Sequence, residues 1–236
     1  MATIRSWCFG FALTVWTAFF GPVIVVLIAS QSAPPAIRKA TRIWASGILV
    51  LLRWIARISY REQGRENIPA VPCLIMCNHQ SMWETIAALV LFPDVAIILK
   101  NSLVGIPVLG WFLRHSPMII VDRDSYMAAV RRMMTEGAQA LASGRSVLIF
   151  PEGTRKSPGD TIEFRRGIEI LYRTLSVPVL PVVVNSGGFW GAGLGNMTPG
   201  TITVSYMPVI QPHLNLLDFA SQGEKAMQAE QARQAA

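Results

Sequence analysis

Beyond Gly64 the sequence predicts an α/β protein, a mixed and mostly parallel sheet flanked by helices, with a pair of membrane-associated helices ahead of it. Short apolar runs of strand length alternate with helically periodic stretches, which predicts the sheet. Two of those runs open directly into polar islands, Asn78-His79-Gln80-Ser81-Met82-Trp83-Glu84 and Phe150-Pro151-Glu152-Gly153-Thr154-Arg155. Loops at strand ends are where open α/β sheets bind ligands, so the islands mark the candidate site. A third observation, the crowding of apolar residues at the N-terminus, predicts the helical pair.

The elements follow in chain order. Of 236 residues, 52% are hydrophobic and only 15% charged, too apolar for a typical soluble domain. Residues 6–29 contain no charge; as a helix they extend about 36 Å, against about 30 Å of bilayer hydrocarbon. A cleaved signal peptide is the competing reading, but the stretch exceeds the roughly 7–15 residues of a signal core. After the Pro34-Pro35 break a helix is expected over residues 36–60. Arg38, Lys39, Arg42, Arg53 and Arg57 fall within an arc of roughly 100° on it, opposite Trp44, Ile48, Leu51, Ile55 and Ile58. That pattern suits a helix lying in the interface of an anionic membrane, or an amphipathic helix packed on the domain. Residues 1–64 are therefore read as a membrane anchor and 65–236 as the α/β domain. Positive residues after the first apolar segment outnumber Arg5 before it, which places the bulk of the chain on the cytoplasmic side of the inner membrane. The net charge of +7 carries no nucleic-acid-binding fingerprint. Cys8, Cys73 and Cys77 form neither a CxxC nor a zinc pattern and read as buried reduced thiols.

Within the domain, strands are expected at residues 73–77, 95–99, 118–121, 146–150, 179–184 and 201–206. The clearest helix spans 125–143: Ser125 is a plausible N-cap, Gly144 a stop, and Met127, Val130, Met134 and Leu141 recur near helical spacing. The last dozen residues read as a short helix or a frayed tail. The glycine-rich segment from Gly187 to Gly195 follows a strand, but turn residues succeed it where a dinucleotide fold needs a helix; it reads as a loop near the site. P-loop and nucleophile-elbow patterns are absent.

The first island sets an imidazole five residues before a carboxylate, an H-x4-E arrangement. Transferring an acyl group to an alcohol calls for a base on the hydroxyl, a role suited to an imidazole. A carboxylate on the other ring nitrogen fixes the tautomer and stabilises the imidazolium. Residues five apart on one helix are turned about 140° from each other. His79 must then precede the helix, with Glu84 in its first turn. Ser81-Met82-Trp83-Glu84 also fits an S-x-x-E capping box, which would make Glu84 purely structural. Both readings stand at this point.

Asn78-His79-Gln80-Ser81 with an acid at the fifth place after the histidine, Phe150-Pro151-Glu152-Gly153-Thr154-Arg155, and Val177-Pro178-Val179-Leu180-Pro181-Val182 occur in the order found in one family. Over roughly residues 70–210 the chain resembles the glycerolipid acyltransferases, specifically bacterial 1-acyl-glycerol-3-phosphate acyltransferases of the PlsC type. It departs from the commoner pattern in carrying Glu84 where that family has Asp, which bears on the acceptor.

The resemblance implies that His79 is the base and that later motifs hold the acceptor phosphate. Phosphate favours bidentate guanidinium, which makes Arg155 and Arg123 the candidates, with Glu152, Gly153 and Thr154 beside them. Val121-Asp122-Arg123 looks like the family's I/F-D-R element, and Lys100 like the lysine of its second motif. Phe164-Arg165-Arg166-Gly167 resembles another family element, one that would meet an acidic donor carrier or form a plain surface patch. The implied reaction moves a fatty acyl group from acyl-CoA or acyl-carrier protein to the sn-2 hydroxyl of lysophosphatidate. It gives phosphatidic acid at the membrane, with no cofactor and no metal. The likeness also implies an alternative in which both N-terminal helices enter one leaflet as a hairpin, which Pro22 and Pro34-Pro35 permit. Competing readings are an acyltransferase for another lyso-lipid, such as a lysophospholipid or lyso-ornithine lipid, a noncatalytic lipid-binding protein, and a thioester hydrolase.

Overall fold

The computed structural model describes residues 2–92, 94–122, 125–191 and 197–235. Helix α1 (Ala2–Ala29) and helix α2 (Pro34–Leu51) form a hairpin joined at residues 30–33. The sheet comprises β1 (Ile58–Gln63), β2 (Leu74–Cys77), β3 (Ala96–Lys100), β4 (Ile119–Val121), β5 (Val147–Ile149), β6 (Val179–Val184) and β7 (Gly200–Tyr206). Between them lie α3 (Trp83–Leu91), α4 (Leu109–His115), α5 (Tyr126–Ala142) and α6 (Arg166–Leu175), and α7 (Leu216–Ala235) closes the described chain.

The strand order is β1-β7-β6-β2-β5-β3-β4. Pairing is parallel throughout except between β6 and β7, so the mostly parallel sheet expected from sequence is observed. Alternate side chains of the central strands enter separate cores on its two faces. Ile75 of β2, with Leu180, Val182 and Val184 of β6, meets the side covered by α1, α2, α3 and α4. Leu74, Met76, Val179 and Val183 meet the side covered by α5, α6 and α7. All six expected strands form. Because β2 lies between β5 and β6 and runs parallel to both, the loops after these strands emerge together at one edge. Those loops carry both polar islands.

Several expectations need correction. The helix predicted over residues 36–60 ends sooner: α2 passes into a π-helical turn at Leu52–Ala56, and Arg57 adopts φ 57°, a left-handed conformation that stops it. Ile58–Gln63, assigned from sequence to the anchor segment 1–64, instead joins the sheet beside β7. Its Ile-Ser-Tyr-Arg alternation reads equally as helix end or edge strand, and the partner strand decides. The apolar face of α2 is turned onto protein: Ile37, Trp44, Ala45 and Ile48 are buried, while Arg38 pairs with Asp94 at 2.7 Å and Arg42 Nη2 donates to the Val90 carbonyl at 3.0 Å. On α5 the buried face is Ala129, Val130, Met133, Gly137 and Ala140, and Met127 is exposed. Cys8 is exposed, whereas Cys73 and Cys77 are buried as expected. The C-terminal dozen is neither short nor frayed, since it completes the 20-residue α7.

Among the described residues, Ile4–Ala29 form one helix long and apolar enough to cross a membrane. One side of α1 docks: Phe9 packs edge-on to Trp190 at 5.5 Å, and Phe20 meets Phe112 at 6.1 Å. The other side leaves Ile4, Trp7, Phe11, Val15, Phe19 and Val25 exposed. The hairpin is stitched by Trp16 Nε1 donating to the Trp44 carbonyl at 2.9 Å and Trp44 Nε1 donating to Thr17 Oγ1 at 3.2 Å. Gly47 admits the Trp16 ring, since a Cβ there would lie 2.2 Å from it. A Gly47→Val substitution should therefore separate the two helices and lower stability by about 1–3 kcal/mol, more than any gain in helix propensity. Thermal unfolding in detergent measures this, and an unchanged midpoint would refute the packing argument.

Candidate active site

The first island begins where β2 ends. Asn78 Nδ2 donates to the Val184 carbonyl at 2.9 Å and its Oδ1 accepts from the Val184 N–H at 2.8 Å, tying the exits of β2 and β6 together. His79 follows. Its N–H donates to Glu152 Oε2 at 2.6 Å, its carbonyl accepts from the Lys156 N–H at 2.8 Å, and its ring stacks on Phe150 with 4.1 Å between centroids. Phe150 and Glu152 of the second island and Lys156 just after it thus hold the residue in place. Nδ1 lies 2.8 Å from Glu84 Oε1, leaving Nε2 as the ring nitrogen without a partner among the described residues.

The two roles weighed for Glu84 coexist geometrically. Glu84 Oε1 reaches back to the Ser81 N–H at 2.7 Å, the carboxylate half of a capping box, while Ser81 Oγ accepts from the Trp83 N–H at 2.9 Å, two residues on rather than three, just ahead of α3. The same oxygen accepts from the Gln80 N–H at 2.6 Å and meets the imidazole. Its second oxygen accepts from Ser81 Oγ at 2.9 Å and Ser186 Oγ at 2.7 Å. Burial alone would raise the Glu84 pKa, but His79, the Ser81 N–H and Ser186 outweigh it and hold the carboxyl below its ordinary value. A charged, fully hydrogen-bonded carboxylate behind an imidazole is the arrangement that orients a general base.

His79 opens onto a cavity of about 520 Å³, of a size typical for ligand sites. Trp44, Ile86, Leu89, Leu99 and Leu113 line its apolar side, and Lys100, Thr154 and Arg155 line it beside His79. Four of the sequence candidates are therefore brought together. Glu152 and Gly153 are not among the residues lining this cavity; they border a neighbouring one of about 320 Å³, which shares Ile98, Phe150 and Thr154 with the first. Glu152 supports the His79 backbone, and Gly153 adopts φ 69°, which favours glycine. Arg123, and residues 192–196 of the glycine-rich segment, lie outside the described residues.

Sequence reasoning missed Ser186, the hydroxyl on Glu84, and Phe150, the ring under His79. Phe150 opens the second island, but its ring was given no role there. Ser186 sits at the exit of β6 just before Gly187, and only that position hinted at it. Among the described residues no group of three or more His, Cys, Asp or Glu side chains is placed to hold a metal ion.

Comparison with known proteins fits this geometry. Residues 59–185 match the family model described as Acyltransferase. The chain belongs to the acyltransferase family. It is 37% identical over 167 residues to a Pseudomonas aeruginosa protein named 1-acyl-sn-glycerol-3-phosphate acyltransferase, covering 71% of this chain and 65% of that one. It is 29% identical to the human 1-acyl-sn-glycerol-3-phosphate acyltransferase beta over 60% of this chain and 51% of that one. The chain thus spans about two thirds or less of these relatives' lengths. Its fold matches the crystal structure of the 1-acyl-sn-glycerophosphate acyltransferase PlsC from Thermotoga maritima, with a TM-score of 0.77 and 23% identity over 100% of this chain and 98% of that one.

In this acyltransferase-family site Glu152 titrates against the trend set by Glu84. Burial raises its pKa from 4.5 to about 7 despite the His79 N–H and Lys156. Below about pH 4.5 the group is neutral in both the folded and unfolded chain. Between there and about pH 7 only the unfolded chain ionises, so stability falls as pH rises through that window. The whole loss is roughly 3 kcal/mol. Glu84, with its lowered pKa, gives the opposite slope at more acidic pH. Denaturant unfolding across pH 4–8 should show Glu152→Gln flattening the decline; an identical decline in the variant would disprove it.

Proposed function

We propose that this chain transfers a fatty acyl group from acyl-CoA or acyl-carrier protein to the sn-2 hydroxyl of 1-acyl-glycerol-3-phosphate, giving phosphatidic acid. The observation that carries the reading is the His79–Glu84 pair, at 2.8 Å, opening onto an apolar cavity that Lys100, Thr154 and Arg155 also line. The relatives' names support the same acceptor.

In this reaction His79 Nε2 takes the proton of the acceptor hydroxyl, and Glu84 stabilises the imidazolium through Nδ1. The oxygen attacks the thioester carbonyl, the tetrahedral intermediate collapses, and the C–S bond breaks. The departing thiolate recovers the proton from the imidazolium, so no acyl-enzyme forms and no metal or cofactor takes part. Arg155 and Lys100 bind the acceptor phosphate, and Arg123 is proposed to join them. The exposed apolar side of α1 lies in the inner membrane with the α/β domain on the cytoplasmic side, where lipid acceptor and product reside.

Glu84→Gln keeps an oxygen for the Ser81 and Gln80 N–H groups, and the two serine hydroxyls can turn to face an amide. The fold should survive while turnover drops by about 10²–10⁴. Wild-type turnover in the folded variant would remove Glu84 from the mechanism. Arg155→Ala should raise the acceptor KM by roughly 10- to 150-fold, matching loss of about 1.5–3 kcal/mol of charged hydrogen bonding. Purified protein with labelled acyl-CoA or acyl-carrier protein and a panel of lyso-lipids tests the whole reading. Preference for a lyso-lipid without a phosphomonoester, thiol release without acceptor, or no turnover would each overturn it.

A further inference from the structure

We propose that Gln231, on the C-terminal helix α7, is a positioning residue for His79. The two residues flanking His79 both turn their side-chain amides to it: Gln231 Oε1 accepts from Gln80 Nε2 at 3.3 Å and from Asn78 Nδ2 at 3.5 Å. Gln231 is itself buried, and its Nε2 donates to the Asp160 carbonyl at 2.9 Å.

The orientation of each amide is set by a backbone group at its far end. Asn78 must offer Oδ1 to the Val184 N–H and Nδ2 to the Val184 carbonyl. Gln80 must offer Oε1 to the Gly187 N–H, at 3.1 Å, which leaves its Nε2 toward α7. Gln231 must offer Nε2 to Asp160, which leaves its Oε1 for the other two. No flip of one amide satisfies all of these partners, so the three define a single arrangement. Through it α7 holds the exits of β2 and β6 and the segment after the second island. One helical face continues the contact, with Gln228 accepting from the Ile162 N–H at 2.8 Å and Glu224 from the Phe164 N–H at 2.6 Å. Gln231 is the member of that face whose partners bracket the imidazole. The Gln80 N–H also donates to Glu84, so a shift of Gln80 moves both halves of the pair.

The proposal rests on His79 acting as the base, and two variants separate positioning from helix docking. Gln231→Leu and Gln231→Glu both lose the donor to Asp160, but only Gln231→Glu keeps an acceptor for Asn78 and Gln80. Gln231→Leu should lower kcat by about tenfold or more with acceptor KM within about twofold, and Gln231→Glu should recover most of the loss. Backbone hydrogen exchange at His79, Gln80 and Ser81 should quicken in Gln231→Leu and stay near wild type in Gln231→Glu. Exchange needs no substrate and kcat can be read with any accepted lyso-lipid, so the proposal is tested even where the wild-type protein prefers a lyso-lipid other than lysophosphatidate, an outcome that would defeat the acceptor assignment alone. If Gln231→Leu does not fold, Gln80→Leu removes one of the two amides from the opposite side and should quicken exchange at the same positions. Wild-type exchange there in the folded variant, or an equal loss of turnover in Gln231→Leu and Gln231→Glu, overturns the proposal.

Discussion

The site depends on one buried carboxylate. Glu84 is 3% exposed and sits behind His79, and an ionised group in such a place is tolerated only when its lone pairs are filled. Among the described residues it has five partners: His79 Nδ1, the Gln80 and Ser81 N–H groups, and the hydroxyls of Ser81 and Ser186. Those partners come from the loop after β2 and the loop after β6, so the charge fixes the relation between two strand exits. It also starts α3. Holding the turn before α3 and orienting the imidazole are therefore one electrostatic solution: the turn that presents the Gln80 and Ser81 N–H groups to Glu84 is the turn that sets His79 ahead of the helix.

The parallel sheet makes that solution possible. Adjacent parallel strands deliver their exits to one edge, and β2 sits between β5 and β6. The β5 exit supplies Glu152 to the His79 N–H and Phe150 beneath its ring, while the β6 exit supplies Ser186 to Glu84. Glu152 and Glu84 are both buried carboxylates, yet their pKa values move in opposite directions. Glu84 gathers enough donors to remain charged, whereas Glu152, whose main donor is one N–H group, is pushed toward neutrality. The environment assigns different duties to the same side chain.

Much of this was legible in the sequence because it rests on local pattern. Apolar runs gave six strands, and the five-residue spacing of His79 and Glu84 required a loop-to-helix transition, which is observed at Trp83. Long-range partners were not legible. Ile58–Gln63 is a strand only because β7 lies beside it. Ser186 and Gln231 are single polar residues whose significance lies 102 and 151 positions away, at Glu84 and Gln80. Of the expected cationic arc, only Arg38, Lys39 and Arg42 lie on α2, since Arg53 falls in the π-helical turn and Arg57 ends it. Arg38 and Arg42 bind Asp94 and the Val90 carbonyl, so part of the stripe fastens the hairpin to the domain rather than facing lipid.

Trp44 shows why the hairpin and the site belong together. Its indole N–H bonds Thr17 of α1, its carbonyl accepts from Trp16, and its ring lines the cavity that His79 opens onto. The hairpin whose helix α1 exposes an apolar side therefore contributes one residue, Trp44, to the cavity lining. For an acceptor whose acyl chain resides in a bilayer, leaving lipid for water would forfeit roughly 0.8 kcal/mol per methylene. Under the proposed function, a cavity lined in part by Trp44 of the hairpin would shorten that exposure. On the proposed reading the hairpin would then serve the chemistry as well as the location, because Trp44, which holds α1 against α2, also lines the cavity onto which His79 opens.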